Sequence, residues 1–347
     1  MRFDVIGGIF TLGQLLIAMS LIVADSTGAE PDGYHSRLIF RPADPPNIYN
    51  FYGNSVQEVA FSPDMKTLAA ASYDGHVRLF DLPAGRLRAV MTDPKHPFYS
   101  VAFSPDGKSL AYGGWDGMLR DMESGQSSVL SPGLAWVHAV AFSPDGQRLA
   151  IGSYLDDFHV RDLATGKSIG KFDPFAGTAA NLDKGLYKPT VERLAFSPDG
   201  RMLAAHIDFF DDELPRFDHM QIWDVSTQKL VTAFKGASCL FTPDGQTLIY
   251  GTQGKIRLWN CKSQEVVATL EDKISISPGA LSRDGSTLAA IGHDKTIQIW
   301  NLPDRKRVSV LKGDERAIKA IAISSDGKLL ASGSDDGSIR LWMSVAP

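Results

Sequence analysis

Cysteine is nearly missing from this 347-residue chain, which has two. Two thiols make neither a disulfide framework nor a four-thiolate metal site. A basic excess is missing too: 35 Lys and Arg stand against 40 Asp and Glu, for a net charge of −5 at pH 7. Duplex nucleic acid needs a basic footprint and is excluded as the main partner. The chain holds no Gly-x-Ser-x-Gly elbow, no phosphate-cradling glycine-rich loop and no His-Glu-x-x-His pair. Its eight histidines show no helical metal spacing and adjoin no nucleophile in a recognisable motif. We therefore expect no catalytic residues, no metal and no cofactor. With 44% hydrophobic and 22% charged residues, the composition is that of a globular chain and excludes a disordered or collagen-like one.

One long apolar run is present, from Val5 to Ala24. About 20 residues suffice to span a bilayer as a helix. The run, followed by small and breaker residues, also has the form of a signal peptide. Residues 1–24 are read as a signal peptide or membrane anchor, and 25–35 as a linker. Either reading expects the rest of the chain outside the cytoplasm: periplasmic, secreted or membrane-anchored through residues 5–24.

The remainder repeats. Phe-Ser-Pro-Asp begins at Phe61, and Phe-Ser-Pro-Asp-Gly at Phe103, Phe142 and Phe196. Variants begin at Phe241, Leu281 and Ile323, so the intervals are 42, 39, 54, 45, 40 and 42 residues. Alternating apolar residues precede each copy, and a short apolar run, a second turn and another strand follow. Asp-Gly between such runs signals a hairpin, because both residues tolerate the positive φ of tight turns. Each unit reads as four strands. One such sheet cannot bury both faces, and radial stacking of several sheets solves this.

The third strands end in Trp223-Asp224, Trp259-Asn260, Trp300-Asn301, Phe80-Asp81 and Leu341-Trp342, while Arg120-Asp121 and Arg161-Asp162 depart. On these residues the chain resembles the WD-repeat β-propellers, with a repeat spelling similar to bacterial members. The resemblance implies an all-β, seven-bladed propeller of four-stranded antiparallel blades over residues 36–347. After Trp342 only five residues remain, too few for a fourth strand. Ser36 to Arg41 is therefore expected to supply the outer strand of the last blade, sparing an open edge.

Asp64, Asp106, Asp145, Asp199, Asp244, Asp284 and Asp326 recur at one turn position, which points to turn chemistry rather than catalysis. His206 and His219 flank an acidic segment with Asp208, Asp211, Asp212, Glu213 and Asp218, which reads as a solvated loop, the alternative being an oxygen- or imidazole-rich cation site. Cys239 and Cys261 fall two strands apart, beyond disulfide reach, and are expected to be free thiols.

Length irregularity is the remaining signal. Blade four carries about eight extra residues in its second turn, placed at 208–218. The connections into blades one and four are long, with Tyr49, Phe51 and Tyr52 in the first and Phe172, Phe175, Leu186 and Tyr187 in the second. In an antiparallel blade the second turn and the blade-to-blade connection share one end. An aromatic patch over blades one to four is therefore expected, built by Tyr73, Trp115, Tyr154, Phe175, Tyr187, Phe209, Phe210 and Phe217. Aromatic loops on a rigid scaffold suit a protein or peptide partner. The expected function is a monomeric, non-catalytic binding scaffold. The alternatives are an enzyme or cofactor- or metal-binding propeller with its site at the central channel, and an anchored structural envelope protein.

Overall fold

The computed structural model describes residues 34–42 and 53–344, apart from 83, 131–135, 155–157, 179–187, 211–216, 271–273, 293–294 and 314–315. The signal or anchor segment, and Tyr49, Phe51, Tyr52, Leu186 and Tyr187, lie outside the described residues. Among those described, no helix is long and apolar enough to cross a membrane.

The described chain forms twenty-eight strands, from β1 (Tyr34–Phe40) to β28 (Ile339–Ser344). They make seven four-stranded sheets. Six follow the chain: β2 (Val56–Phe61) to β5 (Arg86–Thr92), β6 (Ser100–Phe103) to β9 (Ser127–Val129), β10 (Val137–Phe142) to β13 (Ser168–Phe172), β14 (Lys188–Phe196) to β17 (Lys229–Lys235), β18 (Ala237–Phe241) to β21 (Glu265–Leu270), and β22 (Ile274–Leu281) to β25 (Lys306–Lys312). The seventh has the order β1-β28-β27-β26, with β26 at Ile318–Ile323 and β27 at Leu329–Ser334. First strands touch in the cycle β2, β6, β10, β14, β18, β22, β26 and back to β2. They line a central channel, and the seven-bladed ring is closed.

Second strands show why this sequence stacks radially. Leu68 to Ser72, Leu149 to Ser153 and Leu203 to Ile207 are buried throughout. A strand with a sheet against each face needs apolar residues on both, and the taper toward the axis favours small ones. Ala69, Ala70 and Ala71 fit that space. Gly152 stands next to last in its second strand, where a Cβ would collide with Val191 of the next blade.

The repeated motif holds the first turns. Ser104 Oγ donates to Asp106 Oδ1 at 2.6 Å, Asp106 Oδ1 accepts from the Lys108 amide, and Ser104 Oγ accepts from the Ser109 amide. The same set recurs in the other six blades, with Thr242 in place of serine in the fifth. The serine or threonine hydroxyl, with the turn amide, holds each aspartate carboxyl below its usual range. The residue after the aspartate has positive φ in every blade, and in the first it is Met65 at 61°. Pro63, Pro105, Pro144, Pro198 and Pro243 each lie against the turn glycine of the following blade. The motif thus joins neighbouring blades as well as closing its own hairpin.

The latch forms as expected, but it begins at Tyr34, two residues before Ser36. Tyr34 pairs with Ser344 and Leu38 with Arg340. Ile39 and Phe40 also enter a core cluster with Phe80 of the first blade, the Phe40 and Phe80 rings lying 5.8 Å apart. The latch therefore ties blade seven to blade one. Phe40→Ala is expected to cost about 3 kcal/mol, measured by urea unfolding; a loss under about 1 kcal/mol would show that the latch does not hold the ring.

Candidate functional site

Blade four departs most from the expectation. Residues 208–218 are not wholly a loop: β15 (Met202–Phe210) and β16 (Phe217–Asp224) run through much of the insertion, pairing Asp208 with Asp218 and Phe209 with Phe217. The extra residues lengthen a hairpin, because ladder bonds satisfy backbone groups a loop would leave to water. Period-two alternation then sends Phe209 and Phe210 to opposite faces.

Phe209 is fully buried, which corrects its expected role as a surface anchor. Phe175 and Phe217 cover it, at ring distances of 5.3 and 5.0 Å, and are themselves partly buried. Gln221 Nε2 donates to the carbonyls of Pro174 and Ala176, pinning this part of the connection onto blade four. These three phenylalanines act mainly as packing. Phe210 faces outward, stacks on Tyr154 at 5.8 Å and lies under the Lys188 ammonium.

The acidic segment is likewise less solvated than expected. Asp208 is buried, and His206 Nε2 lies 2.9 Å from Asp218 Oδ1. His219 is buried, and burial lowers its pKa. Among the described residues no group of three or more His, Cys, Asp or Glu is arranged to hold a metal ion. Cys239 and Cys261 are free, and burial pushes their thiols up to about 12 and about 11.

Over blades one to three the expected aromatics meet partners the sequence reading overlooked. Tyr73 packs edge-on against Tyr99 at 5.5 Å. Tyr99 stacks on His138 at 3.8 Å and approaches Trp136 at 6.3 Å. Trp136 meets Trp115 at 5.4 Å, and Trp115 stacks on His96 at 4.6 Å. The result is one arc from the outer edge of blade one to the channel. Trp115 is its most exposed ring, at 41%.

The arc ends at charges lining the channel. Bulges in β2, β10, β14 and β26 fall at Gln57, His138, Glu192 and Lys319. Bulges re-aim side chains. His138 Nδ1 lies 3.7 Å from Glu192 Oε1. Burial raises the Glu192 carboxyl, but His138, then His206 and Arg193, more than offset this and hold it below its usual range. One residue further on, the Arg193 guanidinium of blade four pairs with the Glu58 carboxylate of blade one. Glu58 also accepts from Ser100 Oγ at 2.6 Å and the Val101 amide at 2.9 Å. Strands β2 and β14 are not neighbours in the ring, so this ion pair bridges the channel. Beside it lies a cavity of about 170 Å³, lined also by Ser238, Cys239 and Ala320.

All these residues had a legible signal. Counting back four from the first residue of repeats one to four and seven gives Gln57, Tyr99, His138, Glu192 and Lys319, and counting back three in repeats one, two and four gives Glu58, Ser100 and Arg193.

The family model WD40, described as "WD domain, G-beta repeat", matches residues 46–81, 85–120, 128–161 and 305–343. Those four stretches carry WD40 repeats, and the fold that holds them is a seven-bladed propeller. The match 85–120 runs from β5 of one sheet to β8 (Gly117–Asp121) of the next, so a matched WD40 repeat straddles two blades. Over 90 residues the chain is 28% identical to the coronin-like protein of Saccharomyces cerevisiae, covering 25% of this chain and 14% of that protein. Over 124 residues it is 27% identical to the small ribosomal subunit protein RACK1z of Oryza sativa subsp. japonica, covering 32% of this chain and 35% of that one. The match thus covers a minor part of either relative's length.

Removing one partner of the channel pair leaves the other charge half-buried and uncompensated. Arg193→Ala is expected to destabilise by about 1–3 kcal/mol, and Glu58→Gln with Arg193→Ala by less than the sum of the two. Additive losses in a double-mutant cycle would show that the pair does not brace the channel.

Proposed function

We propose that this WD40 propeller is a non-catalytic scaffold that binds a protein or peptide across the face of blades one to four. The observation that carries the reading is the continuous arc His96, Trp115, Trp136, Tyr99, Tyr73 and His138. Aromatic rings give large contact area at low entropic cost, and they dominate interface energetics. Their counterparts at the second-turn tips of blades five and seven are Gln253 and Asp335, so one side of the disc is favoured. Tyr154 and Phe210 extend the same face, with Tyr187 assigned to it from sequence, while Phe175 and Phe217 pack beneath it on Phe209.

The channel supports the alternative less well. Its carboxylates face an arginine and a histidine rather than each other: Glu58 is held by Arg193 and Ser100, and Glu192 by His138. That pattern braces strands, whereas acid–base work calls for a group set apart in pKa and open to substrate.

We further read the chain as exported, as a monomer of bacterial-type repeat spelling. The support is the apolar run from Val5 to Ala24 ahead of the propeller. N-terminal sequencing of the mature protein after cell fractionation checks this. A new terminus between Ala24 and Tyr34, or an intact terminus in the membrane fraction, is expected; an intact terminus in the cytosol overturns export.

Binding is tested by affinity capture with wild type and with Tyr99→Ala/Phe210→Ala, after matching their thermal midpoints. The variant is expected to lose most of any partner recovered by wild type. Equal recovery would remove this face from the function.

A further inference from the structure

A groove opens where the arc reaches the outer edge of blades one and two. Its volume is about 310 Å³, within the range of small-ligand and side-chain sites. Phe98 and Tyr112 form its floor, 5.5 Å apart edge to face and almost fully buried. The Tyr112 hydroxyl donates to Ser127 Oγ at 3.0 Å, so its polar end is satisfied away from the apolar ring face. Met91 and Met118 complete the lining. Thioethers re-pack around differently shaped side chains at little cost.

The wall is Trp115, and it is held in place. Its ring stacks on His96 and meets Trp136, while His96 Nδ1 lies 2.9 Å from Asp93 Oδ2. An exposed indole fixed by two rings loses little freedom on binding. Gly114 lets this turn sit against Phe98, where a Cβ would collide with the ring.

The rim is acidic. Asp93 and Asp116 both line the groove, and no lysine or arginine does. The Asp93 carboxylate is engaged by His96 and by the Lys95 amide. The Asp116 carboxylate is half-buried, and no hydrogen bond or ion pair among the described residues engages it. An apolar slot beside such a carboxylate complements an apolar side chain next to a cation.

We propose that this groove is an anchor site for a peptide segment in which a large aliphatic or aromatic residue adjoins Lys or Arg. The apolar side chain fills the slot against Trp115, and the cation meets Asp116. The inference rests on the scaffold reading and names the partner chemistry of its outer end. From this anchor the partner chain would run along Trp136 and Tyr99 toward the channel.

The test uses an array of synthetic nonapeptides, Gly-Ser throughout except for a central pair: Leu or Phe followed by Arg, Glu or Ser. The array is probed with labelled full-length chain, and hits are measured by fluorescence polarisation. Leu-Arg and Phe-Arg peptides are expected to bind best. Trp115→Ala is expected to weaken them at least about thirtyfold, as for a central aromatic anchor. Asp116→Asn is expected to weaken them about threefold, as for an exposed charge pair, and to flatten their salt dependence. Asp116→Lys is expected to shift preference to the Glu peptides. Binding that survives the Trp115 and Asp116 variants but is lost in Tyr99→Ala/Phe210→Ala overturns the groove and leaves the scaffold reading standing. Preference of wild type for the Glu peptides overturns the groove's charge assignment. No peptide retained by wild type, together with equal capture in the experiment above, overturns both.

Discussion

The ladder between β1 and β28 is the constraint on which the rest of the molecule depends. The matched repeats 85–120, 128–161 and 305–343 each begin with the outer strand of one blade and end with the third strand of the next. A chain built from such staggered units leaves its last sheet one strand short and has one strand to spare at its beginning. Pairing the two ends satisfies both edges at once and turns a stack of sheets into a ring. The entropy of closing so long a loop is set against one seven-residue strand, Tyr34–Phe40, and the burial of Leu38, Ile39 and Phe40. The latch works because its side chains enter the first blade's core as well as the last blade's sheet.

A closed ring fixes the relative positions of strands far apart in sequence, and the channel uses this. Glu58 and Arg193 are 135 residues apart, yet the ring presents them across the channel from each other. Ser100 joins the same network, accepting from the Val140 amide at 3.1 Å, so inner strands of blades one to four are tied together. The aromatic arc lies over those same four blades. A binding surface of stacked rings gains from a braced support, because flexibility has to be lost on binding. The asymmetry of the disc thus has two parts on one side, a polar brace inside and an aromatic face above.

Legibility differed sharply between neighbours. Tyr73, Trp115 and Tyr154 were placed correctly at second-turn tips, since turn position follows from the repeat alone. Tyr99 and Trp136 lie on connections of ordinary length, which carry no irregularity to mark them in the sequence. Phe209 and Phe210 are adjacent and were treated alike. Only the lengthened β15–β16 ladder, which sends one ring inward and the next outward, separates them. Arg161 stands where the family motif has Trp, and the structure shows its Nη1 donating to the Gly166 carbonyl. That bond secures the turn into the outer strand.

What the sequence by itself determined is local and periodic: seven hairpin-bearing units, the seven-fold serine–aspartate turn, the free cysteines, and the spare first strand that had to close the last sheet. These depend on chemistry within a few residues or on counting, and both are written in the chain. What only the tertiary structure decided is convergence: which rings stack, that Glu58 meets Arg193 across the channel, and that Trp115 walls a groove with an acidic rim. Such contacts depend on angles between blades, and a repeat motif common to every blade carries no record of which neighbour it will face.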